Sequence, residues 1–111
     1  MEHLFEAIKK MAEENPLGFT VDLTNLKRLT SGISVAYLET QNSFGDEGLK
    51  RVLKHALDNE KKAGGWFNSE NGRFYYDSVC IFTDLNEAER FARENRQLAI
   101  FDLSNFRVIW L

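Results

Sequence analysis

The sequence is poor in the features that mark secreted and membrane proteins. It contains one cysteine, Cys80, so no internal disulfide can form and a reducing compartment is favoured. The N-terminus is charged throughout and lacks the apolar segment of a secretion signal. No stretch approaches the ~20 apolar residues that a membrane-spanning helix needs. We therefore expect a cytoplasmic protein without a membrane partner.

Clustered cations and metal-ligating residues are also lacking. The chain has 14 Lys and Arg against 17 Asp and Glu, and its net charge is -3. A nucleic-acid partner is disfavoured, because binding to phosphates requires clustered positive charge. Two isolated histidines and one cysteine do not give the spacing of a metal site, and no Gly-rich phosphate loop is present. We predict no metal, no cofactor and no catalytic residue, which favours a protein that is not an enzyme without deciding the question.

The hydrophobic content is sufficient for one domain. Of the 111 residues, 43% are hydrophobic and 13% are aromatic, so no disulfide or metal is needed to hold a core. Apolar residues at three- and four-residue spacing predict helices at 1–15 and 46–62. A proline ends the first helix, and Gly64-Gly65 closes the second. Asp84 predicts the N-cap of a third helix that runs to about Glu94.

Alternating apolar and polar residues predict the strands of a sheet. Asn71-Gly72 is a strong turn signal and predicts a hairpin between Trp66-Phe67 and a long second arm at 73–82. The other predicted strands are 17–23 with Leu17 on its buried face, 33–40 inside the sheet, 97–103 buried on both faces, and 106–111.

These elements predict a single α+β domain over residues 1–111, in the order α-β-β-α-β-β-α-β-β. Three helices would cover one face of a mixed or mainly antiparallel sheet of about five to six strands. The first helix, at 1–15, precedes the sheet. The unit at 64–103, which consists of a hairpin, a helix and a returning strand, carries the clearest local signals and would organise the fold.

Several short motifs resemble a family of small accessory domains. They are GGW at 64–66, N-G-x-x-Y-Y-D at 71–77, Glu87-Ala88 and Q-x-A-I-F-D-L at 97–103, preceded by GFTV at 18–21 and TSG plus a strand at 30–37. Similar domains occur in the large polyvalent proteins of phages and conjugative elements, and as short stand-alone proteins of unknown function in Bacteroides-type bacteria. The resemblance covers about residues 17–103, and it implies an association with mobile elements and no defined reaction.

Nine residues carry polar or aromatic side chains that the predicted core leaves unexplained. We predict that they form a ligand-binding site, because small sites orient ligands with polar groups beside aromatic rings. They are Gln41, Asn42, Ser43, Phe44, Trp66, Tyr76, Asp77, Gln97 and Asp102. The alternative is loop and helix-cap chemistry for 41–44, and the capping of strand edges or turns for the two aspartates. His55 is expected to be a partly exposed helix residue, with catalysis as the open alternative, and Cys80 a small buried hydrophobe.

The sequence is compatible with three functions. The first is a non-enzymatic interaction or accessory module that binds another protein or a second copy of the chain. It is supported by aromatic residues that a small core does not readily bury: Trp66, Phe67, Tyr75, Tyr76, Phe106 and Trp110. The second is a small-ligand site, with or without enzymatic activity. The third is nucleic-acid or anti-defence binding, in which bases would stack on sheet aromatics beside Arg73 or Arg107.

Overall fold

Three helices and eight strands follow one another in a computed structural model that describes residues 1–111. The helices are α1 (Glu2–Glu14), α2 (Gly45–Leu57) and α3 (Leu85–Glu94). The strands are β1 (Phe19–Asp22), β2 (Lys27–Arg28), β3 (Ile33–Ala36), β4 (Ser43–Phe44), β5 (Lys62–Asn68), β6 (Arg73–Phe82), β7 (Ala99–Asp102) and β8 (Arg107–Trp110). A 3₁₀ turn, Leu38–Thr40, separates β3 from β4. None of the helices has the length and apolar character needed to cross a membrane.

All eight strands pair antiparallel in one sheet. Its order is β2-β1-β5-β6-β3-β7-β8, and β4 also lies beside β6. The predicted α+β class with three helices is confirmed, but the sheet has eight strands where the sequence predicted about five to six. The unpredicted strands, β2 and β4, have two residues each, which is too short for an alternating pattern to reveal.

The three helices cover one face of the sheet. Tyr76 of β6 belongs to a core cluster with Phe5 of α1 and Leu53 of α2. Phe82, further along β6, packs against Phe91 of α3 with ring centroids 5.3 Å apart. Side chains separated by an even number of residues lie on the same face of a strand, so all three helices lie on one side. The odd-numbered residues of β6 point to the opposite side, the open face, which carries no helix.

Of the 17 buried hydrophobic residues, 16 form two clusters on the helix side, and Val79 of β6 is buried on the opposite side. The larger cluster, of 12 buried residues, joins α1 and α2 to β1, β5 and β6. The smaller cluster joins α3 to β3 and β7 through four buried residues: Val35, Ala88, Ala92 and Ile100. Tyr37 links α2 to the smaller cluster, because its ring contacts that of His55 on α2 at 4.8 Å and that of Phe91, which packs against the smaller cluster, at 5.2 Å.

The second helix is shorter than the sequence predicted. It ends at Leu57, and the residue with left-handed backbone before β5 is Lys61 (φ 57°). The expectation that Gly64 and Gly65 close this helix is wrong, because both lie inside β5 and neither has a positive φ. Their small size serves the packing of the strand instead.

Gly65 leaves room for an aromatic contact across β5. A Cβ at this position would lie 2.5 Å from the Phe74 ring and 2.6 Å from the Phe19 ring. These two rings stack over the strand with centroids 6.1 Å apart. At Gly64 the nearest atom, the carbonyl oxygen of Phe19, would be 3.4 Å away, which is an ordinary contact. The packing therefore requires glycine at 65 and only accommodates it at 64.

Three strand predictions were wrong in extent or burial. Leu17, predicted on a buried face, is exposed, since β1 begins at Phe19. The strand predicted at 33–40 ends at Ala36. The strand predicted at 97–103 shortens to β7, where only alternate residues are buried, and Leu98 before it is exposed. Its apolar run is not evidence of two covered faces, because the sheet has helices on one side alone.

Candidate functional site

The open face of the sheet carries a row of aromatic side chains. Tyr75 of β6 has Trp66 of β5 directly opposite on one side and Phe44 of β4 directly opposite on the other. Directly opposite residues in an antiparallel pair project to the same face, so the three rings align across the strands. Arg73 and Asp77 lie two residues to either side of Tyr75 and share that face. These five residues are called the aromatic row below.

The rings of the aromatic row pack against one another. Trp66 stacks on Tyr75 with centroids 5.0 Å apart and 17° between the ring planes. Phe44 meets Tyr75 at 5.5 Å, and the Arg73 guanidinium lies 4.3 Å from the centre of the Phe44 ring. Asn71 Nδ2 donates a hydrogen bond to the Tyr75 hydroxyl at 2.8 Å. The side chains are thus held in place while Phe44 and Trp66 stay 40% and 43% exposed.

Asp77 forms one end of the row. Its Oδ2 accepts a hydrogen bond from Trp66 Nε1 at 3.2 Å. Burial raises the pKa of Asp77 to about 6, and the Trp66 hydrogen bond acts in the opposite direction. The residue opposite Asp77 is Gly64, which has no side chain that could supply a countercharge. Asp77 therefore carries its negative charge at neutral pH in a place that disfavours it.

The loop before α2 is fixed by hydrogen bonds and positions Phe44. Ser43 Oγ donates to the carbonyl oxygen of Thr40 at 2.6 Å. Arg51 of α2 donates from Nη2 to the carbonyl oxygen of Gln41 and to Ser43 Oγ, both at 2.7 Å. These bonds tie the loop to the 3₁₀ turn and α2, and the pairing of β4 with β6 gives the ring of Phe44 a defined place in the row.

The sheet divides the predicted site residues between its two faces. Three of the nine belong to the row: Phe44, Trp66 and Asp77. Ser43 and Tyr76 pair with each other but are buried on the helix side, where burial is the main cause of a raised pKa for Tyr76. Gln41 and Asn42 are exposed in the loop, and Asn42 has left-handed backbone (φ 64°). The loop and the Trp66 hairpin thus meet at β6.

Gln97 and Asp102 lie outside the row and support the ends of β7. Asp102 Oδ2 accepts from Asn105 Nδ2 at 2.8 Å and lies 3.5 Å from Arg107 Nε. The hydrogen bond from the Asn105 side chain is the main cause that lowers the pKa of Asp102. Gln97 Nε2 donates to the carbonyl oxygen of Asn95 at 3.0 Å. The structure does not bring these two residues to the other predicted site residues.

Two open grooves run beside α2. One, of about 570 Å³, borders Phe44 and has that ring as its single hydrophobic lining residue. The other, of about 280 Å³, has no hydrophobic lining residue. Arg51 and Lys54 line both. Both grooves are therefore polar surfaces rather than enclosed apolar pockets.

Comparison with protein-family models, with curated proteins and with solved structures gives no match. The geometry of the aromatic row is therefore the guide to its role. The row combines flat, partly exposed rings, one arginine and one aspartate on a rigid sheet. Such a surface can stack on a partner and pair with its charges, but it holds no nucleophile beside a base.

Sequence reasoning missed a polar network beneath α2, in which a hydrogen bond joins His55 to Ser78 and a longer contact joins His55 to Glu39. His55 Nδ1 lies 2.8 Å from Ser78 Oγ, and His55 Nε2 lies 3.7 Å from Glu39 Oε1. The residue types match those of a serine hydrolase triad, but Ser78 is 0% exposed, so its hydroxyl cannot reach a substrate. The Ser78 N–H also donates to Thr40 Oγ1 at 3.1 Å. These contacts link α2 and the 3₁₀ turn to β6. Their signal in the sequence is Ser78, a small hydroxyl residue among the apolar residues on the helix side of β6.

Cys80 lies on the same side of β6, near Tyr37. It is half-buried, so the prediction of a buried small hydrophobe is met only in part. Burial is the main cause that raises the pKa of the Cys80 thiol, and burial also raises the pKa of Tyr37 to about 12. A thiol with a raised pKa stays protonated at neutral pH and is a poor nucleophile. No three His, Cys, Asp or Glu side chains lie together in an arrangement that could hold a metal ion.

Proposed function

We propose that the chain is a non-enzymatic interaction module whose partner is a protein that binds the aromatic row. The observation that carries the proposal is that Trp66, Tyr75 and Arg73 lie together on the sheet face that no helix covers. Tryptophan, tyrosine and arginine are the residue types enriched among interface hot spots. Exposed apolar groups that adjoin one another mark interaction sites on soluble proteins.

Two polar groups of the row already have hydrogen-bond partners within the chain. Trp66 Nε1 is bonded to Asp77, and the Tyr75 hydroxyl accepts a bond from Asn71. A partner that covers the rings would leave neither group buried without a hydrogen bond, a loss that costs about 1–3 kcal/mol per group. The Arg73 guanidinium lies over the Phe44 ring, and its N–H groups can pair with carboxylates or carbonyls of the partner.

The grooves beside α2 favour this proposal over a small-ligand site. Small molecules are usually bound in concave, mostly apolar pockets that enclose most of their surface. The two grooves are open, and one hydrophobic residue lines the larger and none the smaller. A flat partner surface that stacks on the aromatic row requires no such enclosure.

The setting of the interaction is part of the proposal. The resemblance of residues 17–103 to accessory domains implies an association with mobile elements, and we therefore propose a partner encoded by a phage or conjugative element. The free thiol of Cys80 supports a reducing compartment, and we place the complex in the cytoplasm.

Single-stranded nucleic acid is the second candidate partner. Arg73 stacked on Phe44 beside Tyr75 offers a cation and two rings to an unpaired base. The carboxylate of Asp77 in the row and the net charge of -3 oppose phosphate binding, which makes a protein partner the better fit.

The proposal is tested first by capturing partner proteins on immobilised variants and then by measuring the affinity of each variant for the captured protein. Wild type, Trp66→Ala and Leu98→Ala are immobilised, and proteins retained from cells that encode the chain are quantified. Leu98 serves as the matched control because it is apolar, 79% exposed and outside the row. The retained protein is then titrated against each purified variant and Arg73→Ala. We expect Trp66→Ala and Arg73→Ala to weaken binding roughly tenfold or more, as hot spots do, and Leu98→Ala to leave it unchanged.

A second readout follows the row directly. The chain has two tryptophans, so Trp110→Phe leaves Trp66 as the single indole. Burial of Trp66 under the partner should shift its fluorescence to shorter wavelength. Equal binding by wild type and Trp66→Ala would overturn the proposal. Salt-sensitive binding to single-stranded oligonucleotides that Trp66→Ala abolishes would replace the protein partner with nucleic acid.

A further inference from the structure

The two ends of the strand order, β2 and β8, differ in how they are protected against pairing, and the third exposed strand, β4, has only two residues. Natural sheets block exposed edges with short strands, lysine, proline or bulges. At one edge β2 has two residues, Lys27 and Arg28, both charged and exposed. At the other edge β8 has four residues, and its Trp110 is 75% exposed. The β8 edge is therefore the one at which a further strand can add.

The charge at β8 does not block such pairing. Arg107 is the single charged residue of the strand, and its Nε lies 3.5 Å from Oδ2 of Asp102 on the neighbouring β7. The carboxylate of Asp102 offsets the positive charge of Arg107. The Arg107 side chains of two β8 strands therefore repel each other less. The remaining side chains are apolar, with Val108 and Trp110 exposed on the open face and Ile109 half-buried on the helix face.

Hydrogen bonds between β7 and β8 define which backbone groups face outward. The Leu111 N–H donates to the carbonyl oxygen of Leu98 at 3.0 Å, so these two residues form a hydrogen-bonded pair. Such pairs alternate along an antiparallel ladder, so Ile109 also directs its N–H and C=O to β7. Val108 and Trp110 therefore direct theirs to the free edge.

We propose that β8 pairs antiparallel with β8 of a second copy of this chain, around a two-fold axis at Ile109. In this register Val108 of each copy lies opposite Trp110 of the other, which joins the four outward N–H and C=O groups of each strand in inter-chain hydrogen bonds. The two Ile109 side chains meet on the helix face at a pair without hydrogen bonds, where Cα atoms are about 4.5 Å apart. The interface goes beyond the proposed function, since it lies apart from the aromatic row.

A second copy fits this edge better than an unrelated strand for two reasons. The outward groups and the apolar side chains of β8 complement themselves under a two-fold axis, so one surface serves both copies. The charged two-residue strand at the other edge prevents further addition, so the assembly closes at two chains. Each strand contributes four residues, so the interface is small beside the roughly 1,200–2,000 Å² of stable complexes, which indicates a weak and concentration-dependent dimer.

The register is tested by cross-linking. Ile109→Cys is made in a Cys80→Ser background, with Val108→Cys in the same background as the control. The proposed Cα separation at 109 lies within the range that a disulfide spans. Under mild oxidation we expect a disulfide-linked dimer from Ile109→Cys and little from Val108→Cys, whose own register partner is Trp110. The reverse result would overturn the register.

The dimer itself is tested by sedimentation over a range of concentrations. We expect wild type to dimerise, and Val108→Pro to weaken the dimer roughly tenfold or more, because proline removes an outward N–H at an edge position that tolerates it. Val108→Thr keeps the N–H and should dimerise like wild type. Val108→Lys, which places a charge at the edge, gives a second test should Val108→Pro fail to fold. A wild-type chain that stays monomeric at millimolar concentration, or a dissociation constant unchanged in Val108→Pro and Val108→Lys, would refute the interface.

Discussion

Asp77 contributes a stability that is lost as pH rises through the acidic range. Burial raises its pKa from the ordinary value of 3.8 to about 6, so the folded chain binds the proton more tightly than the unfolded chain. Between pH 4 and pH 6 the folded state keeps this proton while the unfolded state has lost it. The contribution of Asp77 to the free energy of unfolding therefore decreases as pH rises across this window, and it levels off above the folded pKa.

The size of the effect follows from the shift. A difference of one pKa unit corresponds to about 1.4 kcal/mol, so the full shift of Asp77 corresponds to about 3 kcal/mol. Asp77→Asn cannot ionise, yet its Oδ1 can still accept the hydrogen bond from Trp66 Nε1. We expect the free energy of unfolding of this variant to exceed that of wild type by about 1–3 kcal/mol at pH 7. At pH 4 the variant should be no more stable than wild type.

The assay is urea unfolding of both proteins at intervals from pH 4 to pH 8. The difference between wild type and Asp77→Asn removes the contribution of all other titrating groups, and NMR of the Asp77 carboxyl carbon gives its pKa directly. Trp66→Phe adds a check of sign, since loss of the indole N–H should raise the pKa of Asp77 further. A carboxyl pKa near 3.8, or parallel stability curves for the two proteins, would refute the argument.

The remaining predictions concern the two glycines of β5 and are read as chemical denaturation midpoints at constant pH. Gly65→Ala should destabilise the fold by about 1–3 kcal/mol, because the new methyl overlaps the stacked rings of Phe19 and Phe74. Gly64→Ala adds a methyl at ordinary contact distance and should change stability by about 0.5 kcal/mol or less, or raise it slightly by restricting the unfolded chain. Equal losses at both positions would show that strand propensity, and not the ring contact, selects glycine here.

Local signals predicted the parts of the fold that local physics determines. The hairpin around Asn71-Gly72 and the helix that begins after Asp84 are where the sequence placed them, and Asp84 accepts from the Asn86 N–H as an N-cap does. The end of α2 was predicted wrongly because the pair Gly64-Gly65 resembles a helix C-cap. The role of Gly65 is to leave room for the ring of Phe19, a residue 46 positions earlier in the chain. Two-residue strands such as β4 form through pairing with residues that are distant in the sequence, so no local pattern predicts them.

The candidate site was predictable only in part, for a related reason. Phe44, Trp66 and Asp77 were selected by residue type. That they lie beside Tyr75 and Arg73 follows from the pairing of β4, β5 and β6, which a single sequence does not specify. Asp102 has the same chemical type as Asp77 and was grouped with it. Strand pairing places Asp77 on an aromatic surface and Asp102 at a turn.

The two proposed interfaces, taken together, constrain the assembly. In a dimer joined at β8, seven steps from strand to strand separate β6 of one copy from β6 of the other, through β3, β7 and β8 of each. Each step in a sheet turns by roughly 20–25°, so the two aromatic rows would face directions about 150° apart. One compact partner cannot contact both rows at that angle. The dimer should therefore bind two partner molecules on opposite sides, and the mass of the complex in solution should correspond to two chains with two partners. Two chains with one partner would require a flat sheet or a different dimer interface.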